Sequence, residues 1–152
     1  MAGDDLGSAA IAALADAGLS RCAELLSLDR PGAALIEHLQ GRPCVILIDA
    51  MLAGLPAGTV RELSLEDLIV SAQPPSSHQL GLAETLALAS ALACLPQHLH
   101  LIGIEAGAGL DGDARSAALV RVVETVQSLL AAADHRPAGL DPRSSGASER
   151  RP

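Results

Sequence analysis

The stretch Val45-Ile46-Leu47-Ile48-Asp49-Ala50 decides how this chain is read. It shows no polar alternation, as expected of a strand covered by helices on both faces of a parallel or mixed sheet. It ends in an aspartate, and in an open α/β sheet functional groups gather at the carboxyl ends of the strands. Two other stretches carry groups that would meet Asp49 there: Gly3-Asp4-Asp5-Leu6-Gly7 and Ser76-Ser77-His78-Gln79-Leu80-Gly81-Leu82. If the acidic turn and His78 converge on Asp49, the result is a small metal site of two carboxylates and one imidazole.

Outward from that strand, Cys44–Ile48, the helix Ala33–Gln40 comes before it, opened by Pro31-Gly32 and halted by Gly41 and Pro43. Arg21–Leu28 reads as a short strand and Ala9–Leu19 as an Ala-rich helix with Gly18 as its stop. Downstream, Pro56-Ala57-Gly58 turns the chain into a strand over Thr59–Leu63, followed by a helical turn at Leu65–Leu68 and a loop over Ser71–Ser77 broken by Pro74-Pro75. A helix covers Leu80–Leu92, and Ser76-Ser77-His78-Gln79 has the S-x-x-Q pattern of a capping box, which puts His78 in its first turn. Leu99–Ile104 is the last strand. In the final helix Leu119, Val123, Val126 and Leu130 recur at helical spacing, with Arg115, Arg121, Glu124 and Ser128 mostly opposite. This order predicts an α/β fold, a three-layer sandwich with a twisted, mostly parallel sheet of about four strands between helices. The domain ends near residue 133, and 134–152, rich in Pro, Gly, Ser and charge, reads as a disordered tail.

The chain has 152 residues, enough for one domain, and 49% of them are apolar. It has no Phe, Tyr or Trp, so no aromatic can stack on a nucleobase, and its formal charge of −8 opposes a phosphate backbone. Nucleic acid is therefore not an expected partner. No uninterrupted apolar run approaches the roughly 20 residues that span a bilayer, so no membrane insertion is expected. Cys22, Cys44 and Cys94 are widely spread without CxxC spacing, which points to reduced thiols filling the core of a cytoplasmic protein.

Each polar group also has an ordinary role open to it. An aspartate after a strand can be a turn or helix cap, Asp4 and Asp5 beside a helix N-terminus suit its dipole, and His78 can be a plain surface residue of a capped helix. Glu105 either lines the same sheet edge or faces solvent. His38, His98, His100 and His135 read as surface groups. Gly103 to Gly112 lacks the lysine of a P-loop and the dinucleotide fingerprint, and reads as a flexible loop.

At these residues the chain resembles the hydrogenase maturation proteases. Gly3-Asp4-Asp5-Leu6-Gly7 resembles the end of that family's N-terminal signature, Ile48-Asp49-Ala50 its strand ending in Asp, Ser77-His78-Gln79-Leu80-Gly81-Leu82 its His motif, and Leu101-Ile102-Gly103-Ile104-Glu105 its last strand. The likeness runs over about residues 3 to 132 in consistent order. It implies an endopeptidase that removes the C-terminal extension of a nickel-iron hydrogenase large-subunit precursor, with Asp5, Asp49 and His78 contacting the metal and Asp4 a weaker candidate. It also implies that the nickel is substrate-borne, recognised rather than permanently bound; on chemical grounds, a water polarised by that metal and deprotonated by Asp49 or Asp5 is the expected route of cleavage. Family members place an apolar strand and a Gly-Asn turn before the acidic pair, inside a five-stranded sheet, and here Met1 lies two residues before Gly3. An upstream start that restores the strand is one expectation; the other is a truncated, non-catalytic nickel- or precursor-binding protein. A small-ligand α/β domain unrelated to hydrogenase is a third.

Overall fold

The computed structural model describes residues 5–29, 31–70 and 77–134, with side chains throughout except at 69–70 and 77–80. Three strands form one mixed sheet: β1 (Cys44–Met51), β2 (Val60–Leu63) and β3 (His98–Glu105), in the order β1-β3-β2. β3 is central, parallel to β1 with Asp49 opposite Gly103, and antiparallel to β2 with Leu63 opposite Leu101. The fold class is the α/β sandwich expected, with three strands among the described residues where four were expected and one antiparallel pair where the sheet was expected to be mostly parallel.

Side chains alternate across the sheet, and the two faces bury separate cores. On one face Ile46, Ile48, Ile102 and Ile104 pack against α1 (Leu6–Asp16) and α5 (Gly112–Asp134). Ala10 and Ala118 are fully buried in that core. On the other, Val45, Leu47, Leu63 and Leu101 pack against α2 (Leu35–Leu39), α3 (Leu65–Val70) and α4 (Ser77–Ala91).

Several boundaries differ from expectation. Arg21–Leu28 is not a strand: a 3₁₀ turn occupies Leu19–Arg21 and the chain from Glu24 to Leu28 has no regular structure. A strand needs a hydrogen-bonding neighbour as well as β-prone residues, and among the described residues none reaches this segment. Helix α1 starts earlier than expected, directly after Asp5, and Gly18 follows it at φ +81°, as a stop signal should. The buried stripe of α5 runs through Ala118, Val122 and Val126, with Leu119, Val123 and Leu130 at its margins. By length and composition alone α5 could cross a bilayer, contrary to the sequence expectation, yet this stripe is committed to the core and Val120 is exposed. Cys22 is exposed rather than a core filler, while Cys44 and Cys94 are half-buried. The Pro74-Pro75 loop, the Ser76 capping box, Asp4, His135 and the tail from 135 onward lie outside the described residues.

Candidate active site

Strand β1 has a hydrogen-bonded neighbour on one edge only, among the described residues. Along its free edge runs a groove of about 420 Å³. Its long walls are Ile46 to Asp49 of β1 and Leu26 to Asp29 of the irregular segment; α1 contributes Gly7, Ser8 and Ile11 from one layer, and α4 contributes Gly81, Leu82 and Thr85 from the other. A hydrogen bond of 2.8 Å between the Ser8 and Ser27 hydroxyls ties the far wall to α1.

Asp49 lies within β1 rather than after it, because pairing with β3 continues to Met51 and Glu105. It is half-buried, and its Oδ1 accepts the Ala50 N–H at 2.8 Å. Besides the groove it lines a small cavity of about 20 Å³ with Leu47, Met51, Leu63, Leu68, Leu82 and Gly103. A solvent-reachable carboxylate held between two helix layers is placed to accept a proton or to contact a cation.

The other two predicted ligands are placed differently. The first turn of α1 rests against β1, where a Cβ added at Gly7 would sit 3.8 Å from the Ile48 carbonyl oxygen. Asp5 lies two residues before Gly7, and Ile48 one residue before Asp49. Asp5 occupies the N-cap position of α1 without a side-chain capping bond. Instead, Arg115 in the first turn of α5 donates Nη1–H to Oδ1 at 3.0 Å and Nη2–H to Oδ2 at 2.8 Å. The guanidinium holds the Asp5 carboxyl below its ordinary pKa, and the carboxylate in turn raises that of Arg115. His78 belongs to the first turn of α4 by its backbone, and its side chain lies outside those described. Helical spacing puts position 78 on the face of α4 shared by 81 and 82, both of which line the groove with Asp49. Among the described residues no group of three His, Cys, Asp or Glu side chains is close enough to hold a metal ion.

Glu105 neither faces solvent nor lines the groove. It is 1% exposed, and its Oε2 accepts the Ala53 N–H at 2.8 Å and the Leu55 N–H at 3.3 Å, fixing the loop that follows β1. Backbone bonds from Glu105 N to Thr59 O and from Gly58 N to Glu105 O complete this clamp. Sequence reasoning passed over two further groups. Arg115 read as an outward residue of an amphipathic helix, and nothing local marks a partner 110 positions away. The signal for the second was present: Ser64-Leu65-Glu66-Asp67 is an S-x-x-D box, and both its bonds form, Ser64 N–H to Asp67 Oδ2 at 2.9 Å and Asp67 N–H to Ser64 Oγ at 3.0 Å. His100 is paired with Glu62 at 2.6 Å, away from the groove.

Comparison with known proteins places this geometry. The hydrogenase maturation protease family model matches residues 29–131. The hydrogenase expression/formation protein HupD of Thiocapsa roseopersicina is 33% identical over 89 residues, which are 57% of this chain and 40% of that protein. HoxM of Cupriavidus necator is 37% identical over 76 residues, 49% of this chain and 38% of that protein. The matched part thus spans about two fifths of the length of these curated relatives. Among solved structures, the [NiFe] hydrogenase maturation protease HybD from Thermococcus kodakarensis is 28% identical with a TM-score of 0.63, over 83% of this chain and 88% of that one. The hydrogenase maturating endopeptidase HybD from E. coli, 23% identical with a TM-score of 0.66 over 86% and 85%, shares the fold. Since the family model covers more than half of its residues, β1, β3 and the groove-lining part of α4 among them, the chain belongs to the hydrogenase maturation protease family.

Proposed function

We propose that this chain is an aspartyl-type endopeptidase that removes the C-terminal extension of a nickel-loaded hydrogenase large-subunit precursor in the cytoplasm. The observation that carries the reading is the position of Asp49, a half-buried carboxylate on a groove lined by Gly7 and Ser8 from the first turn of α1 and by Gly81, Leu82 and Thr85 of α4. The proposed donors are oxygens of Asp5 and Asp49 and the imidazole of His78. Such a set suits a divalent first-row cation with open positions, and nickel binds it more tightly than manganese or iron does. The nickel belongs to the substrate, so these residues read it rather than own it. In the cleavage step Asp49 or Asp5 takes a proton from the attacking water as its oxygen bonds to the scissile carbonyl carbon; the proton then passes to the departing amine as the C–N bond breaks.

The test is C-terminal processing followed on a gel, with large-subunit precursor prepared with and without nickel. Shortening only of the nickel-loaded precursor is the expected result. Asp49→Asn should abolish it, and cleavage at the normal rate in that variant rules out an acid-base role for Asp49. His78→Ala should abolish processing while keeping the helical far-ultraviolet signal, since a first-turn helix residue contributes little packing. A chain that retains nickel-loaded precursor without cutting it would instead be a non-catalytic binder.

A further inference from the structure

We infer that Arg115 is a positioning residue that holds the Asp5 carboxylate and competes for it with the substrate's divalent cation. The inference rests on reading Asp5 as a metal ligand and says when that ligand becomes available. Three observations carry it. The pair is bidentate, with both guanidinium Nη atoms on both carboxylate oxygens, the geometry that immobilises a carboxylate most fully. Asp5 lies two residues before Gly7, where an added Cβ would stand 3.8 Å from the carbonyl oxygen of Ile48, the residue before Asp49 in β1. Arg115 also sits in the first turn of α5, whose N-terminus Asp111 caps through the Ala114 N–H at 2.8 Å. A cation at that end of a helix opposes the dipole, so the helix itself gives no reason for an arginine there and the pairing with Asp5 does.

A divalent ion arriving at Asp5 meets a guanidinium already on both oxygens. Either the arginine swings away or the ion binds against its positive charge, and in both cases Arg115 lowers the affinity. The Asp5 side chain is 64% exposed and that of Arg115 29%, so the exchange costs one mostly solvated ion pair. Removing the arginine should therefore raise the affinity about two- to fivefold. By reciprocity, cation capture loosens the contact between the starts of α1 and α5.

The experiment is calorimetric titration of the full chain with nickel(II) alone. Arg115→Gln is expected to bind nickel about two- to fivefold more tightly, and Arg115→Lys, which keeps the charge but loses the fork, to fall between it and the parent. The gain should vanish when Asp5→Asn is combined with Arg115→Gln. A merely structural role would move affinity the other way, so unchanged or weaker binding by both arginine variants, with circular dichroism intact, overturns the inference. Asp5→Asn binding nickel as well as the parent would instead remove Asp5 from the ligand set, a failure of the underlying reading that this arm reports separately. No uptake by any variant overturns the inference, while the underlying reading, in which the nickel arrives on the substrate, stands or falls on the processing assay.

Discussion

Gly103 stands directly across from Asp49 in the parallel pair of β1 and β3, and it is the residue that leaves room beside that carboxylate. A Cβ there would lie 2.6 Å from Met51 Sδ and 2.8 Å from Leu63 Cδ1, inside contact distance. Both obstacles are the ends of flexible side chains, so Gly103→Ala forces repacking rather than a backbone shift. Overpacking of this kind costs about 1–3 kcal/mol, against roughly 0.5–1 kcal/mol that alanine gains over glycine within a strand. The net expectation is a loss of about 1 kcal/mol in chemical denaturation, together with slower processing, because the displaced Met51 and Leu63 line the cavity that Asp49 shares. A variant as stable as the parent would mean that the cavity absorbs the methyl group.

Helix α3 has six residues, too few to be stable by propensity, and it depends on the reciprocal bonds of Ser64 and Asp67 at its start. The Ser64 N–H and hydroxyl hold the Asp67 carboxyl below its ordinary pKa. A carboxylate with a depressed folded-state pKa contributes stability that is present above its unfolded value and is lost as pH falls through the folded one. Ser64→Ala should therefore lower the Tm at neutral pH, with a loss of about 1 kcal/mol, and the gap between variant and parent should narrow as pH falls below the ordinary carboxylate range. A gap independent of pH would remove Asp67 from the cap. The same scale shows what a sequence can and cannot reveal. The apolar runs at 45–48 and 99–104 located β1 and β3, since a run buried on both faces leaves a local signal. The end of β1 was missed by three residues because pairing with β3, not the polarity of Asp49, decides where the strand stops. The helix expected from Leu80 begins at Ser77, and Asp49 lies on the groove wall beside the apolar run that drew attention to it, whereas the partners of Asp5 and Glu105 come from distant segments and leave no local trace.

For the molecule as a whole, the open edge of β1 is the feature that strand and helix layers together define. Both helix layers extend past the sheet, so that α1 and α4 cover a groove with no strand between them among the described residues. The groove's far wall carries Leu26 and Leu28, 42% and 39% exposed. α1 packs on one face of the sheet and α2 on the other. Right-handed crossovers demand that arrangement if a strand in the groove, parallel to β1, feeds α1 outward to residues 24–28 and α2 then returns across it to β1. A strand ending beside Asp49 would also enter α1 directly, since a Cβ added at Gly7 would lie only 3.8 Å from the Ile48 carbonyl oxygen. A chain that carries an apolar strand of about five residues and a Gly-Asn turn ahead of residue 1 should then have a higher Tm than residues 1–152 alone, with its β1 amides protected from hydrogen exchange. It should also suppress the concentration-dependent association expected of an open edge. The added segment buries apolar groups worth roughly 1.5–3 kcal/mol each against about 1–2 kcal/mol per residue of backbone entropy, and the expected gain comes from both helix layers closing over it. An unchanged Tm with unprotected β1 amides would show that the groove is not the seat of a strand, and would leave it as an open cleft leading to Asp49.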